Sequence, residues 1–142
     1  MLSRVSLLSL AATFLAAGTI AVLAQAAAPA VYTAEQATAG GDLYQSQCAA
    51  CHGAALDGTA APALVGQGFA DMVAAQGMTA QSLLTVTAQT MPQDKPGTLT
   101  PEQYAAITAY VLQKNGYPAG SELLSADNPH LKEINFGNAP AQ

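Results

Sequence analysis

Cys48-Ala49-Ala50-Cys51-His52 is the stretch around which the rest of the chain is organised. C-x-x-C-H is the attachment sequence of a c-type haem, whose two vinyl groups each take up one thiol. Cys48 and Cys51 are three residues apart, so one turn of helix puts both sulfurs on the same side. The imidazole of His52 is then a candidate proximal ligand of the iron. The motif predicts one haem held through Cys48, Cys51 and His52.

Two other kinds of site also contain a C-x-x-C pair. A redox dithiol usually lies in a βαβ pattern, and a structural zinc site usually needs four ligands. The chain has 2 cysteines and 2 histidines, so a zinc site would need His130, which lies in a proline-containing tail. The pattern favours haem, with an exported dithiol or disulfide and a zinc site as alternatives.

Residues 1–26 have the features of a secretory signal peptide. A charged start with Arg4 precedes an apolar segment, which ends in the small-residue sequence Ala24-Gln25-Ala26. We expect cleavage after Ala26 and a periplasmic location, which is where c-type haem is attached. If the segment were kept, it would be a membrane anchor, because its length is near the roughly 17 residues that a spanning helix needs.

The remainder is long enough for one small domain. We assign residues 27–117 to that domain and residues 118–142 to an extended tail laid over it. Without Arg4, the chain has three lysines and nine acidic residues, which gives a formal charge of −6. Such a surface excludes nucleic-acid binding and favours a partner with a basic face. The chain has no Trp, 3 Phe and 5 Tyr, so a buried porphyrin would supply much of the core.

Three threonines stand at predicted helix starts: Thr33, Thr79 and Thr100. A glutamine follows three residues after the first and the last of them, which indicates a capping box at both. The first helix runs toward the cysteines, the second to about Thr90 and the last to about Lys114. A shorter helix is predicted over residues 69–76.

Residues 53–68 are rich in Gly and Pro and show no helical or strand period, so we expect a compact loop. A loop of this length usually has a function, and a haem would give it something to wrap. Pro62 and Leu64 are the candidates for contact with the ring.

The axial position opposite His52 separates an electron carrier from an open catalytic or gas-binding site. Methionine sulfur is a soft ligand that raises the reduction potential. Met91 is the best-placed candidate, because a helix gives way there to a loop and Pro92 favours an extended backbone before it. Met72 and Met78 at helical positions are more typical of core residues, and His130 of a solvated tail.

From about Gly40 to Tyr117 the chain resembles a class I cytochrome c of the small bacterial periplasmic kind. The resemblance rests on five features: Gly40-x-x-x-Tyr44-x-x-x-Cys48, Cys48-Ala-Ala-Cys51-His52-Gly53, Pro62-x-Leu64, Met91-Pro92, and a last helix with Ile107 and Tyr110. Together these features are far more specific than C-x-x-C-H alone.

The resemblance implies an all-α cytochrome c fold with three to five helices around one covalently bound haem. The first and last helices would cross, with Tyr110 packing at Gly40 and Tyr44. The carbonyl of Pro62 would accept a hydrogen bond from the second nitrogen of His52. The chain lacks the lysine-rich face of the mitochondrial proteins, and residues 91–120 look like cytochromes that serve quinoprotein and other periplasmic dehydrogenases.

These expectations describe a periplasmic carrier rather than an enzyme. It would pass single electrons between a dehydrogenase and a terminal oxidase or another carrier. Its partners would therefore be redox proteins. It would contact a membrane only if the N-terminal segment were not cleaved. A cytochrome subunit held in a dehydrogenase complex is the near alternative. A haem enzyme or gas binder with an open distal site, and a haem-free thiol oxidoreductase, are the readings from other classes.

Overall fold

The computed structural model describes residues 28–136, so the predicted signal peptide lies outside the described residues. Its α-helices are α1 (Ala34–Gln47), α2 (Ala49–His52), α3 (Gly66–Ala75), α4 (Ala80–Thr90) and α5 (Pro101–Lys114), followed by a 3₁₀ helix at Pro129–Lys132. Between residues 28 and 136 the extended pairing is limited to a single antiparallel bridge between Thr79 and Asn135. The all-α prediction is confirmed, and α3 begins three residues before its predicted start.

The side chains of all three predicted N-cap threonines accept hydrogen bonds from the first turns of their helices. Thr100 forms the predicted capping box with Gln103, and Thr79 forms one with Ser82. The predicted capping box at Thr33 is incomplete, because the side-chain amide of Gln36 does not bond back to Thr33. It donates to the carbonyl of Leu124 at 2.9 Å and accepts from the N–H of Leu124 at 2.8 Å.

Helices α1 and α5 form the largest helix contact of the fold, as the resemblance implies. They come so close at Gly40 that a Cβ there would overlap the backbone carbonyl of Ala106. One turn further on, the rings of Tyr44 and Tyr110 lie 5.4 Å apart. A Cβ at the neighbouring Gly41 would lie 3.1 Å from the Tyr110 ring, whereas the α5 backbone at Ala106 occupies the space where a Cβ at Gly40 would lie. A larger residue at the crossing would therefore push the two helices apart.

The segment after Tyr117 supplies four side chains to the same hydrophobic core as the helices: Leu124, Leu131, Ile134 and Phe136. The ring of Phe136 stands edge-on to Phe69 at 5.5 Å and to Tyr117 at 5.5 Å. The N–H of Gly120 donates to the carbonyl of Tyr32 at 2.7 Å, which ties the segment to the start of the described chain. Within residues 28–136, every helix is too short or too polar to cross a membrane.

Candidate haem site

The C-x-x-C-H motif lies at the junction of α1 and α2. Cys48 ends α1 with φ −127° and ψ −34°, which breaks the helix direction, and α2 begins at the next residue. The carbonyl of Cys48 accepts hydrogen bonds from the N–H groups of Cys51 at 3.1 Å and His52 at 3.0 Å. The two cysteines are thus held one helical turn apart, with Cys48 half-buried and Cys51 exposed.

Both thiols are free. Burial, and secondarily the nearby Cys51 sulfur, raises the pKa of the Cys48 thiol to about 11. Cys48 is therefore protonated at neutral pH, whereas a redox dithiol works through a thiolate with a lowered pKa. In the part of the chain that the structure describes, no three His, Cys, Asp or Glu side chains are grouped to hold a metal ion. The described residues thus offer no set of ligands for a zinc site, and burial disfavours a Cys48 thiolate.

The His52 ring is oriented by the loop that follows it. Its Nδ1 lies 2.8 Å from the carbonyl oxygen of Pro62. A carbonyl oxygen can only accept a hydrogen bond, so Nδ1 carries the proton and is the donor. In a neutral ring with this tautomer, the other nitrogen, Nε2, keeps its lone pair, which imidazole uses to bind a metal. This is the hydrogen bond that the resemblance implies.

The loop over residues 53–65 is tied back to the motif by its own backbone. The carbonyl of Cys51 accepts from the N–H groups of Thr59 at 3.2 Å and Ala61 at 3.0 Å, and from the Thr59 hydroxyl at 2.7 Å. The carbonyl of His52 accepts from the N–H of Gly58 at 2.8 Å. The loop starts at Gly53, whose φ of +82° favours glycine. It therefore forms one hydrogen-bonded unit with the two motif residues that precede it.

Two side chains from the α1 and α5 helices anchor this loop, and sequence reasoning missed both roles. The Tyr44 hydroxyl donates to the carbonyl of Gly53 at 2.6 Å, and the Asn115 amide donates to the carbonyl of Leu64 at 2.9 Å. Leu64 itself is partly buried against the core. The available signal was chemical: a buried tyrosine needs a partner for its hydroxyl, which a phenylalanine at the same position would not.

Met91 lies in a separate segment, directly after α4. Helix α4 ends at Thr90, as predicted, and Met91 has an extended backbone with φ −119° and ψ 152°. Its side chain is partly buried and the following Pro92 is buried. The Tyr104 hydroxyl of α5 donates to the Met91 carbonyl at 2.6 Å, a contact that the sequence did not indicate.

The other candidates for the sixth ligand have different surroundings. Met72 and Met78 pack against the hydrophobic core. His130 is exposed, and its Nδ1 lies 3.1 Å from a carboxylate oxygen of Glu133. Met91 is the one methionine of the three that ends a helix and leads into an exposed loop.

The residues present fit a c-type haem in their donor chemistry. Two free thiols at C-x-x-C spacing are suited to the two vinyl groups, and His52 offers an imidazole nitrogen whose partner nitrogen is already engaged. Met91 offers a neutral thioether from another segment. These residues would hold the group.

A helical fold in which the first and last long helices cross, with C-x-x-C-H at the end of the first, defines a class I c-type cytochrome. The chain belongs to the family described as cytochrome c oxidase, cbb3-type, subunit III, whose model matches residues 35–111. No curated protein and no solved structure matches the chain significantly. The predicted resemblance to class I c-type cytochromes is confirmed.

Membership of a c-type cytochrome family carries a general function. Its cofactor is haem c, its activity is electron transfer, and its partners are redox proteins. Such cytochromes are electron carriers and are typically exported. The spacing of the two cysteines is consistent with covalent attachment of that haem.

Proposed function

We propose that the chain is a periplasmic monohaem cytochrome c that carries one electron at a time between a dehydrogenase and a terminal oxidase or another carrier. Cys48 and Cys51 hold the haem, His52 is its proximal ligand and Met91 its distal ligand. The observation that carries the proposal is the 2.8 Å contact between His52 Nδ1 and the Pro62 carbonyl, within a family whose cofactor is haem c. When bound, the haem supplies the one-electron couple of its iron.

The chain contributes rigidity to this function. The loop after His52 fixes the imidazole through Pro62 and through the carbonyl bonds of Cys51 and His52, so the ring keeps one orientation in both oxidation states. An imidazole and a thioether are both neutral ligands that suit either oxidation state. If His52 and Met91 both bound the iron, they would leave no coordination position open for a substrate, which favours electron transfer over catalysis.

The surface of the chain favours short-lived docking to a basic partner. The ion pairs within residues 28–136 are limited to that of His130 with Glu133, so most carboxylates have no ion-pair partner. Their summed field attracts a basic face, and salt screens it over about 8 Å at physiological ionic strength. Ala50, between the two cysteines, is exposed, so the motif lies close to the protein surface.

The first test is the visible absorption spectrum of protein exported from cells that attach c-type haem. We expect a sharp α-band in the reduced protein, haem that resists acid-acetone extraction, and the weak red band of methionine sulfur on ferric iron. Met91→Ala should lose the red band and gain rapid carbon monoxide binding. Rapid carbon monoxide binding by the wild-type ferrous protein would overturn the carrier function in favour of an open enzyme or gas-binding site. A colourless protein would show that no haem is attached, and Cys48 and Cys51 would then be interpreted as a plain thiol pair.

A second candidate is a cytochrome subunit held permanently in a dehydrogenase or oxidase complex. The family is that of an oxidase subunit, which favours this function. Turnover with purified partners separates the two functions. A transient acidic carrier should slow as salt is added, whereas a held subunit should be insensitive to salt and should copurify with its complex.

A further inference from the structure

The segment between α4 and α5, residues 91–100, is called the Met91 segment below. The Tyr104 hydroxyl of α5 makes a hydrogen bond to the first residue of this segment. Tyr104 lies one turn into α5 and is 3 % exposed, and its hydroxyl donates to the Met91 carbonyl at 2.6 Å. Met91 is the first residue after α4, so its carbonyl lies beyond the regular helical bonds. Apart from this bond, the hydrogen bonds of residues 91–100 within the described chain are local, spanning three or four residues.

The base of this contact is rigid. Thr100 caps α5 through a reciprocal bond with Gln103, and Pro101 occupies the first turn. The Tyr104 N–H donates to the Thr100 carbonyl at 3.1 Å, and the Tyr104 carbonyl accepts from the Thr108 hydroxyl at 2.9 Å. The tyrosine is therefore fixed at its backbone and buried in the core, and its hydroxyl reaches the Met91 carbonyl.

We infer that Tyr104 is a positioning residue that keeps Met91 in its ligating position. The inference rests on the proposed function, in which Met91 is the distal ligand. With Tyr104 intact, the Met91 carbonyl and the tyrosine hydroxyl are hydrogen-bonded to each other while the segment stays closed over α5. When the segment swings away, water hydrates the carbonyl and the tyrosine hydroxyl loses its partner. The bond thus favours the closed, ligated state over the open one.

Tyr104→Phe tests this with little change of shape. The phenylalanine leaves the Met91 carbonyl without its partner in the closed state, while the open state remains hydrated. The cost therefore falls on the ligated form, and the open population should rise about five- to tenfold, as expected from the net contribution of one hydrogen bond. A ligand that competes for the ferric iron should bind tighter by the same factor.

The measurement is a titration of ferric holoprotein with imidazole, followed by loss of the red methionine band. The matched control is Tyr32→Phe, which removes a buried tyrosine hydroxyl bonded to a backbone carbonyl, that of Tyr117 at 2.5 Å, far along the chain from Met91. We expect Tyr104→Phe to raise the apparent imidazole affinity about five- to tenfold and Tyr32→Phe to leave it within twofold.

The outcomes separate the two proposals. If the wild-type ferric protein lacks the red band, the distal ligand of the proposed function is wrong. If the band is present and Tyr104→Phe binds imidazole like the wild type, the positioning role is overturned while the carrier function stands. Equal increases in Tyr104→Phe and Tyr32→Phe would also overturn it, because they would reflect general loosening of the fold.

Discussion

The segment that follows His52 and the segment that follows Met91 are held in place very differently. Residues 53–65 are bonded to the backbone carbonyls of Cys51 and His52, to the His52 ring through the Pro62 carbonyl, and to the side chains of Tyr44 and Asn115. Residues 93–98 are all exposed, and among the hydrogen bonds of residues 91–100 within the described chain only the bond from Tyr104 to the Met91 carbonyl spans more than four residues. In the proposed haem site, the proximal segment is thus held by several hydrogen bonds from outside it and the distal segment by one such bond, so exchange of a ligand should begin on the distal side.

The largest effect is expected at the crossing of α1 and α5, because the residues that hold both segments lie on these two helices. Tyr44 and Tyr104 both project from the α1 and α5 helices, which meet at Gly40. Gly40→Ala places a methyl group into the backbone of Ala106, which cannot give way as a flexible side chain would. We expect the free energy of unfolding to fall by about 3 kcal/mol, measured by urea denaturation of the holoprotein.

Gly68→Ala is the matched control for this substitution. Gly68 also lies inside a helix, but a Cβ there would meet nothing within 4 Å. Since alanine favours helix, the control should leave stability unchanged or raise it by up to about 1 kcal/mol. Equal losses in the two variants would show that the helix crossing is not tight.

Asn115→Ala tests the redundancy of the proximal side. The amide donates to the carbonyls of Leu64 at 2.9 Å and Val111 at 2.8 Å, and the residue is 8 % exposed. Its loss leaves the Leu64 carbonyl without a partner, which should lower the free energy of unfolding by about 2 kcal/mol. Imidazole affinity should stay within twofold of the wild type, because His52 keeps its bond to Pro62.

The exposed Gln113, two residues before Asn115 and in the last turn of α5, gives the control. Gln113→Ala should change the free energy of unfolding by less than about 0.5 kcal/mol. If Asn115→Ala raised the imidazole affinity as much as Tyr104→Phe, the proximal side would not be redundant and the contrast between the two segments would be lost.

Tyr44→Phe should have a smaller effect at neutral pH, a loss of about 1 kcal/mol in the free energy of unfolding. At high pH its effect should shrink. Burial raises the pKa of Tyr44 to about 12 from its ordinary 10.0. The unfolded chain therefore releases this proton first, and the stability that the protonated hydroxyl contributes is present below pH 10 and is lost as the pH rises toward 12.

Denaturation at several pH values checks this window. The wild-type free energy of unfolding should fall between pH 10 and pH 12, and the fall should be shallower in Tyr44→Phe. Part of the fall should remain in the variant, because burial also raises the pKa of Tyr32 and Tyr117. An identical slope in wild type and variant would mean that Tyr44 does not contribute to it.

The sequence predicted those features that depend on neighbouring residues. The threonine caps, the end of α4 at Thr90 and the crossing of the first and last helices follow from local patterns and from the family resemblance. Gln36 shows where this stops. Three residues after an N-cap it predicts a capping box, yet its amide binds Leu124, 88 residues away. A longer-range partner outcompeted the local one.

The candidate site shows the same limit. The haem-attachment motif, Pro62 and Met91 could be selected from spacing and residue type, whereas the hydroxyl bonds of Tyr44 and Tyr104 could not. Both tyrosines are core residues on helix faces, and a helical pattern treats them as it treats phenylalanine. Which carbonyl each hydroxyl reaches depends on how α1 and α5 meet the two loops, which only the folded chain shows.

Thr98→Ala should have the smallest effect. It tests whether the exposed loop or the Tyr104 bond holds Met91 in place. The Thr98 hydroxyl donates to the carbonyl of Lys95 at 2.9 Å, within the exposed loop. Water replaces an exposed hydrogen bond at little cost, so the free energy of unfolding should change by less than about 0.5 kcal/mol and imidazole affinity by less than twofold. If Thr98→Ala instead raised the affinity as much as Tyr104→Phe, the order of the whole loop would control Met91. A small effect would assign that control to the single buried bond at the start of the segment.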